Sequence, residues 1–350
     1  MTPARVAVFG WYMHGNFGDE LMAVIFSRAI TAAGFHPVVY RLPRYLAECE
    51  GVETASTIPA LLDGASACVL GGGGLLVSAE DAPFPELLAF DEDLGTLATI
   101  CRERSIPIWG ASIGGTGAGR AGKLYAGLTA LLASGTVSGA TVRLKGDGPL
   151  LERFGVASTH FPDVVFLAPE FWPVAEAHGA RRVVITHHLA KVPAGRAFVK
   201  TLGLCAPILG VSAVQLVTRH ASTYGPSWPS HDARVPYTDI QSMANLVSRA
   251  KAIVSSRLHL GIFGMAYGAL FFGYGSKSKT MAQLDELGLG SQILSRRDLP
   301  LFLLRLRSGY TSEQAILSRM LPGLRDRAKG HLTALMAFLT SVARGGRYAA

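Results

Sequence analysis

Val6-Ala-Val-Phe9 passes through Gly10-Trp-Tyr-Met-His-Gly-Asn-Phe-Gly-Asp-Glu20 into a run of helical periodicity, Glu20 to Ala33. A short β-branched strand, a glycine-bearing loop and a helix in that order open a βαβ unit, which requires a parallel sheet. The same alternation recurs along the chain. Strands are expected at Val38 to Tyr40, Cys68 to Leu70, Ile106 to Trp109 and Thr141 to Leu144, with helices at Leu87 to Arg102 and Lys123 to Ala133. After Ala168 to Gly179, a proline- and acid-containing linker candidate, a second series follows at Val183 to Thr186, Val214 to Thr218, Ala252 to Ser255 and Leu270 to Gly273. The expected architecture is α/β, with two doubly wound domains whose strand-end loops form the walls of one cleft. Domain limits are set at residues 1–172 and 173–311. Residues 312–350 form a helical segment packing back across both, with apolar positions Ile316, Met320, Leu332, Leu335, Phe338 and Leu339 and a break near Pro322 and Gly323.

The composition agrees with this. Of 350 residues, 49% are hydrophobic and 17% charged, enough apolar surface for two cores and too little charge for a disordered chain. The formal charge of +8 is uneven: Arg296 to Ala350 holds ten Lys/Arg against three acids, a local +7. The remaining body is nearly balanced, so no nucleic-acid partner is expected. Cys49, Cys68, Cys101 and Cys205 form no CxxC pair and read as ordinary thiols of a reducing, cytoplasmic compartment. Met1 to Gly10 lacks the pattern of a cleaved signal, and the longest apolar run, Leu260 to Gly275, is too short and glycine-rich for a membrane span.

Several stretches carry chemistry. In the first loop Gly10 and Gly15 mimic a P-loop, but Asn16 stands where the phosphate-binding lysine belongs, which excludes a nucleoside-triphosphate site. Asp19 and Glu20 suit the positive end of the following helix; the loop reads either as a tight turn with its cap or as a hydroxyl-binding loop. Gly71 to Gly74 follow a strand and admit close approach by a ligand or another loop. Gly117, Gly119 and Gly122 match GxGxxG, yet the strand that would supply a ribose-binding acid carries Arg143 instead. In Ser255-Ser-Arg-Leu-His-Leu260, Arg257 and His259 interrupt an apolar strand-to-helix passage, where charge is costly without an anionic partner. Arginine supplies a planar fork and histidine a proton near neutrality. Lys277 adds a cation after the next strand, and His187 and His188 end the strand Val183 to Thr186, with no third residue at metal-ligand spacing.

Taken in order, GxxxxGNxGDE, Gly71 to Gly74, Ser112-Ile-Gly-Gly115, Arg143 with Phe161-Pro-Asp-Val164, and Arg257-Leu-His259 followed by Lys277 resemble the polysaccharide pyruvyl transferase family over about Val8 to Leu289. Gly115 and Ala269 depart from prolines common there, and Gly146 to Gly148 replace a serine-containing turn. The resemblance implies two Rossmann-like domains in a glycosyltransferase-B-like arrangement with a cleft between them. It further implies transfer of pyruvate from phosphoenolpyruvate, as a ketal, to hydroxyls of a sugar in an exopolysaccharide or cell-envelope glycan precursor. No cofactor or metal is then expected, phosphoenolpyruvate being the donor substrate.

Carried over by position, Arg143, Arg257, Leu258, His259 and Lys277 surround phosphoenolpyruvate, with His259 transferring a proton. Asp19 or Glu20 is the base candidate. Gly15, Asn16, Asp19, Gly72, Gly73, Gly74, His187 and His188 are assigned to the acceptor glycan, free or lipid-linked. The rival readings are a glycosyltransferase of the same two-domain type using a nucleotide sugar, and a non-catalytic glycan-binding protein. The basic C-terminal segment, with Leu299 to Leu306 beside Arg305 and Arg307, reads either as a peripheral contact with the acidic inner membrane face or as a core helix with solvated arginines.

Overall fold

In the computed structural model the described residues are 3–13, 16–76, 85–115, 124–175, 181–189, 192–220, 234–276 and 278–345. The chain divides into two compact units, Met1–Val164 with Arg327–Ala350, and Val165–Asp326.

The first unit holds a seven-stranded sheet: β1 (Arg5–Phe9), β2 (His36–Tyr40), β3 (Glu53–Ala55), β4 (Ala65–Leu76), β5 (Ile108–Gly115), β6 (Val137–Val142) and β7 (Ser158–His160). The order is β3-β2-β1-β4-β5-β6-β7 and every pairing is parallel. Helices cover both faces, so β1 has no polar side: Val6 to Phe9 are all fully buried. Phe9 stacks on Tyr40 and on Phe90, from the helix Pro85–Glu103, at centroid distances of 5.0 and 5.2 Å.

The second unit repeats the plan with β8 (Val183–His187), β9 (Ser212–His220), β10 (Arg234–Tyr237), β11 (Ala250–Ser255), β12 (Leu270–Tyr274) and β13 (Ile293–Leu294), ordered β10-β9-β8-β11-β12-β13 and again all parallel. Each sheet reverses its order once, between β1 and β4 and between β8 and β11. Such a reversal splays the flanking crossovers apart and opens a crevice at the carboxyl ends of the two strands.

Two expectations are corrected. The glycines Gly71 to Gly74 do not follow their strand; they are part of β4, which runs on to Leu76. The C-terminal helix is not broken at Pro322. It runs unbroken from Thr311 to Ala343. A proline deprives the carbonyl four residues back of its partner, and here that residue is Ser318, on the exposed face where water can take its place.

The expected apolar positions Leu335, Phe338 and Leu339 are buried, but the first half of the seam differs: Leu317, Leu321, Leu324, Ala328, His331, Leu335 and Phe338 recur at alternating steps of four and three, while Ile316 is exposed. Residues from Arg327 onward belong to the first unit. There Phe338 stacks on Trp109 at 5.5 Å and fully buried His331 meets Phe161 edge-on at 5.4 Å. His331 Nε2 faces the Pro162 carbonyl oxygen at 2.9 Å, which can only accept, so the hydrogen sits on Nε2 and the Thr141 hydroxyl donates to Nδ1 at 2.7 Å.

Two glycines of this helix make opposite predictions. A Cβ on Gly330 would lie 2.3 Å from the Phe161 ring, whereas one on Gly323 meets nothing. Gly323→Ala should therefore stabilise by up to about 1 kcal/mol through helix propensity. Gly330→Ala should lose about 1 to 2 kcal/mol as the ring is displaced, read as opposite shifts in urea midpoint.

Burial, then repulsion from His160 and Arg143, pushes His331 down to about 3. Its folded form stays neutral while the unfolded chain takes up a proton below about pH 6.5. Stability should thus be flat above that pH and fall by about 1.4 kcal/mol per pH unit on this account as acid is added, down to about pH 3. Urea unfolding of His331→Gln should show a shallower acid slope.

Candidate functional site

In the second unit, β8 ends at His187 and β11 at Ser255, and these two residues lie side by side in the parallel register. His188 follows with φ +56°, a left-handed conformation that is strained for a non-glycine residue and turns the chain at the strand end. On the other side Ser256 and Arg257 lead into the helix Leu258–Ala266, with Arg257 as its N-terminal flanking residue, whose own side chain makes no capping bond. A helix start beside an exposed guanidinium is a setting for an anion.

The two strand ends are tied by paired histidine–serine contacts. Ser255 Oγ donates to the Arg257 carbonyl at 3.0 Å, accepts from the Arg257 amide at 2.9 Å, and lies 2.9 Å from His187 Nδ1. Ser256 Oγ donates to the His188 carbonyl at 2.9 Å and lies 3.1 Å from His188 Nδ1. A hydroxyl has one hydrogen, and in both cases a carbonyl takes it. Both imidazoles must then carry their hydrogen on Nδ1. His187 is 3% exposed, and burial, with His188 and Arg257 nearby, pushes it down to about 3, so its ring is neutral. His188 is half-buried and its Nε2 lies 3.5 Å from Arg257 Nη2.

His187, His188 and Arg257, which the sequence analysis divides between acceptor and donor, thus come together at one crevice. His259 is buried in the first turn of the helix. Lys277 lies outside the described residues. Ser255 and Ser256 were not singled out from the sequence; the only signal is two serines before Arg257 matching two histidines at another strand end, and the match needs the β8–β11 register to be seen.

Arg143 is a different case. It follows β6 in the first unit with no exposed surface, and its Nη1 lies 3.2 Å from Asp163, which is equally buried. Gly114 passes so close that a Cβ there would lie 2.6 Å from Arg143 Nε. The guanidinium is buried within the first unit, where Asp163 compensates its charge. Ser112, two residues before that glycine, is held at φ +52° by its amide on Thr141 Oγ1, 2.9 Å, and by the Val164 amide on its hydroxyl, 3.4 Å.

At the first unit's own reversal, the Tyr12 hydroxyl donates to the Gly71 carbonyl at 2.7 Å, and burial, then the charge of Asp19, raises its pKa. Asn16 donates to Asp19. Asp19 and Glu20 are both buried, in the first turn of the helix Phe17–Ala32. Gly72 and Gly73 have φ of +75° and +87°, and added Cβ atoms would meet Met22 and Asp19 at 2.6 and 2.9 Å. The close approach that this glycine run permits is made by the chain's own first helix. Gly74 is half-buried, and Gly15 lies outside the described residues.

Comparison with solved structures shows the fold. A putative UDP-N-acetylglucosamine 2-epimerase from Listeria monocytogenes aligns with a TM-score of 0.61 at 10% identity over 99% of both chains. The UDP-GlcNAc 2-epimerase of Neisseria meningitidis, bound to UDP-GlcNAc, aligns at 0.59 and 9% over 95% of this chain and 99% of its own. A spinosyn forosaminyltransferase gives 0.51 and 14% over 96% and 100%. These likenesses establish two Rossmann-like α/β domains. No curated protein matches the sequence. The family model for polysaccharide pyruvyl transferases matches residues 16–278, from the first glycine loop to beyond the Arg257-Leu-His259 passage, and the chain belongs to that family.

Proposed function

We propose that the protein is a ketal pyruvyltransferase that moves pyruvate from phosphoenolpyruvate to two hydroxyls of a sugar in an exopolysaccharide or cell-envelope glycan precursor. The observation that carries the reading is the exposed Arg257 at the start of the helix Leu258–Ala266, beside the reversal of the second sheet. Phosphoenolpyruvate bears a phosphate and a carboxylate, and a guanidinium with helix amides matches such oxygens. Lys277, one residue before the helix Ser278–Glu286, is proposed as a further cation.

In the proposed reaction a proton adds to the enol methylene and leaves an oxocarbenium-like centre at the adjacent carbon. One sugar hydroxyl attacks, losing its proton. Phosphate then departs with the C–O bonding pair, taking up a proton, and a second hydroxyl closes the ketal and loses its own. His259 is proposed to move the proton, and Asp19 or Glu20 to serve as base. Asn16 and the glycines of the first unit are proposed for the acceptor.

The test is incubation with phosphoenolpyruvate and a panel of glycan intermediates, following phosphate release and the pyruvyl mass gain. The fold likeness to UDP-sugar enzymes supports one rival, a nucleotide-sugar transferase. Binding of a nucleoside diphosphate with no response to phosphoenolpyruvate would overturn the first reading in its favour.

A peripheral contact with an anionic bilayer is proposed as well. The helix Leu299–Ser308 buries Leu299, Phe302 and Leu306 but leaves Leu301 and Leu304 55% and 71% exposed. Its inner face packs Phe302 on Phe198 of the helix Gly195–Leu209, whose Leu204 and Ile208 are 71% and 76% exposed. Exposed Arg196, Lys200, Arg296 and Arg297 adjoin these residues in sequence, matching an acidic headgroup layer. Among the described residues no helix is long and apolar enough to cross a membrane. The protein should sediment with phosphatidylglycerol vesicles and not with phosphatidylcholine ones, and Leu301→Glu/Leu304→Glu should abolish this. Equal recovery of both proteins in the supernatant refutes the contact.

A further inference from the structure

We infer that His188 is an additional contact for the donor phosphate and gains one proton at Nε2 when that phosphate binds at Arg257, with Ser256 as its positioning residue. The inference rests on the donor site proposed for Arg257 and extends it to a residue that the family resemblance does not assign to phosphoenolpyruvate.

The hydrogen accounting leads there. Ser256 gives its only hydrogen to the His188 carbonyl and therefore receives one from Nδ1. The ring can change charge only at Nε2, and that atom faces Arg257 Nη2 at 3.5 Å. Beside the guanidinium a neutral ring suits this position, since its lone pair accepts from Arg257 and a second cation so close would be repelled. A phosphate dianion on Arg257 reverses the balance. Its charge outweighs the repulsion, the ring takes a proton from solvent, and Nε2 changes from an acceptor of the arginine hydrogen to a donor towards the phosphate.

The neighbouring groups fit this division. His187, on β8, has its Nδ1 hydrogen committed to Ser255, and its Nε2 is buried without a hydrogen-bond partner among the described residues. Burial keeps it neutral. Arg257 is permanently charged, and His259 lies two residues further on, inside the helix. His188 is the less buried of the paired rings, and its left-handed backbone holds the ring in place through the carbonyl that Ser256 binds.

The experiment is calorimetric titration of the full chain with phosphoenolpyruvate alone, near pH 8, in two phosphate-free buffers of different ionisation enthalpy. At that pH the free ligand's phosphate is already a dianion, so proton uptake reports on the protein. The wild type should take up roughly one proton per bound ligand. His188→Asn should abolish the uptake and weaken binding about tenfold, the loss of one charge-assisted contact. Asparagine is the substitution of choice because it tolerates φ > 0 and keeps an N–H near Nδ1, so the variant should fold, as its melting curve will show. Ser256→Ala should lower the uptake and Ser256→Thr restore it, a pattern that a purely structural serine would not produce.

Binding that depends on Arg257 but takes up no proton, or uptake that survives in His188→Asn, overturns this inference and leaves the donor site standing. Binding that is absent, or indifferent to Arg257→Ala, overturns the donor site and the inference with it.

Discussion

Asp163→Ala lowers the unfolding free energy of the first unit by about 3 to 5 kcal/mol, the cost of leaving a buried charge without its partner. Arg143 has no exposed surface through which water could replace the carboxylate. Set against a typical domain stability of about 5 to 15 kcal/mol, such a loss is visible as a large fall in urea midpoint. Arg143→Leu/Asp163→Leu removes both charges and should recover most of the loss, because the desolvation penalty disappears with the attraction. The double variant also decides the role of Arg143: if it refolds and still binds phosphoenolpyruvate, the arginine holds up the domain; if it refolds and no longer binds, the donor contact implied by the family resemblance is real. A single Asp163→Ala variant within about 1 kcal/mol of wild type would refute the buried pair as a stabilising unit.

Arg257→Ala acts on binding. Its guanidinium is exposed, so removal leaves the core untouched and the melting temperature within a few degrees. Loss of a charge-assisted contact of about 1.5 to 3 kcal/mol corresponds to a fall of about 10- to 150-fold in kcat/KM for phosphoenolpyruvate. Arg257→Lys should recover only part, because an ammonium cannot present the planar fork. Unchanged kinetics in Arg257→Ala would remove the residue from the donor site. His259 does not allow so clean an experiment: it is 5% exposed within the helix Leu258–Ala266, and replacing it also opens a cavity.

Most of the fold was legible because the central strands of a doubly wound sheet are covered on both faces. Val6 to Phe9, Val183 to Thr186 and Ala252 to Ser255 therefore read as continuous apolar runs. The edge strands β3, β7, β10 and β13, two to four residues long, have no such pattern and were missed. The seam of the long helix was read correctly at Leu335, Phe338 and Leu339 and misread at its start, because Ile316 and Leu317 are equally apolar and only packing decides which is turned inward.

At the candidate site, Arg257 and His259 were legible from the cost of charge in an apolar frame. Arg143 entered through its place in the strand Thr141 to Leu144 and through the family resemblance, and sequence alone could not tell a cation facing solvent from one facing Asp163, twenty residues on. The serine partners were invisible for a topological reason: Ser255 and His187 are 68 residues apart and become neighbours only through the sheet.

The return of the chain from Arg327 onward makes the first unit discontinuous, and this bears on how it is assembled during synthesis. Thr141, Phe161 and Trp109 are translated long before Phe338 and His331, which complete their surroundings. The first unit therefore leaves the ribosome with one wall open, and the second is made before that wall can be closed. N-terminal-first folding, the usual order for multidomain chains, is not available in full here. A nascent chain that has not reached residue 327 carries a first unit lacking the histidine that lies between Thr141 and Pro162.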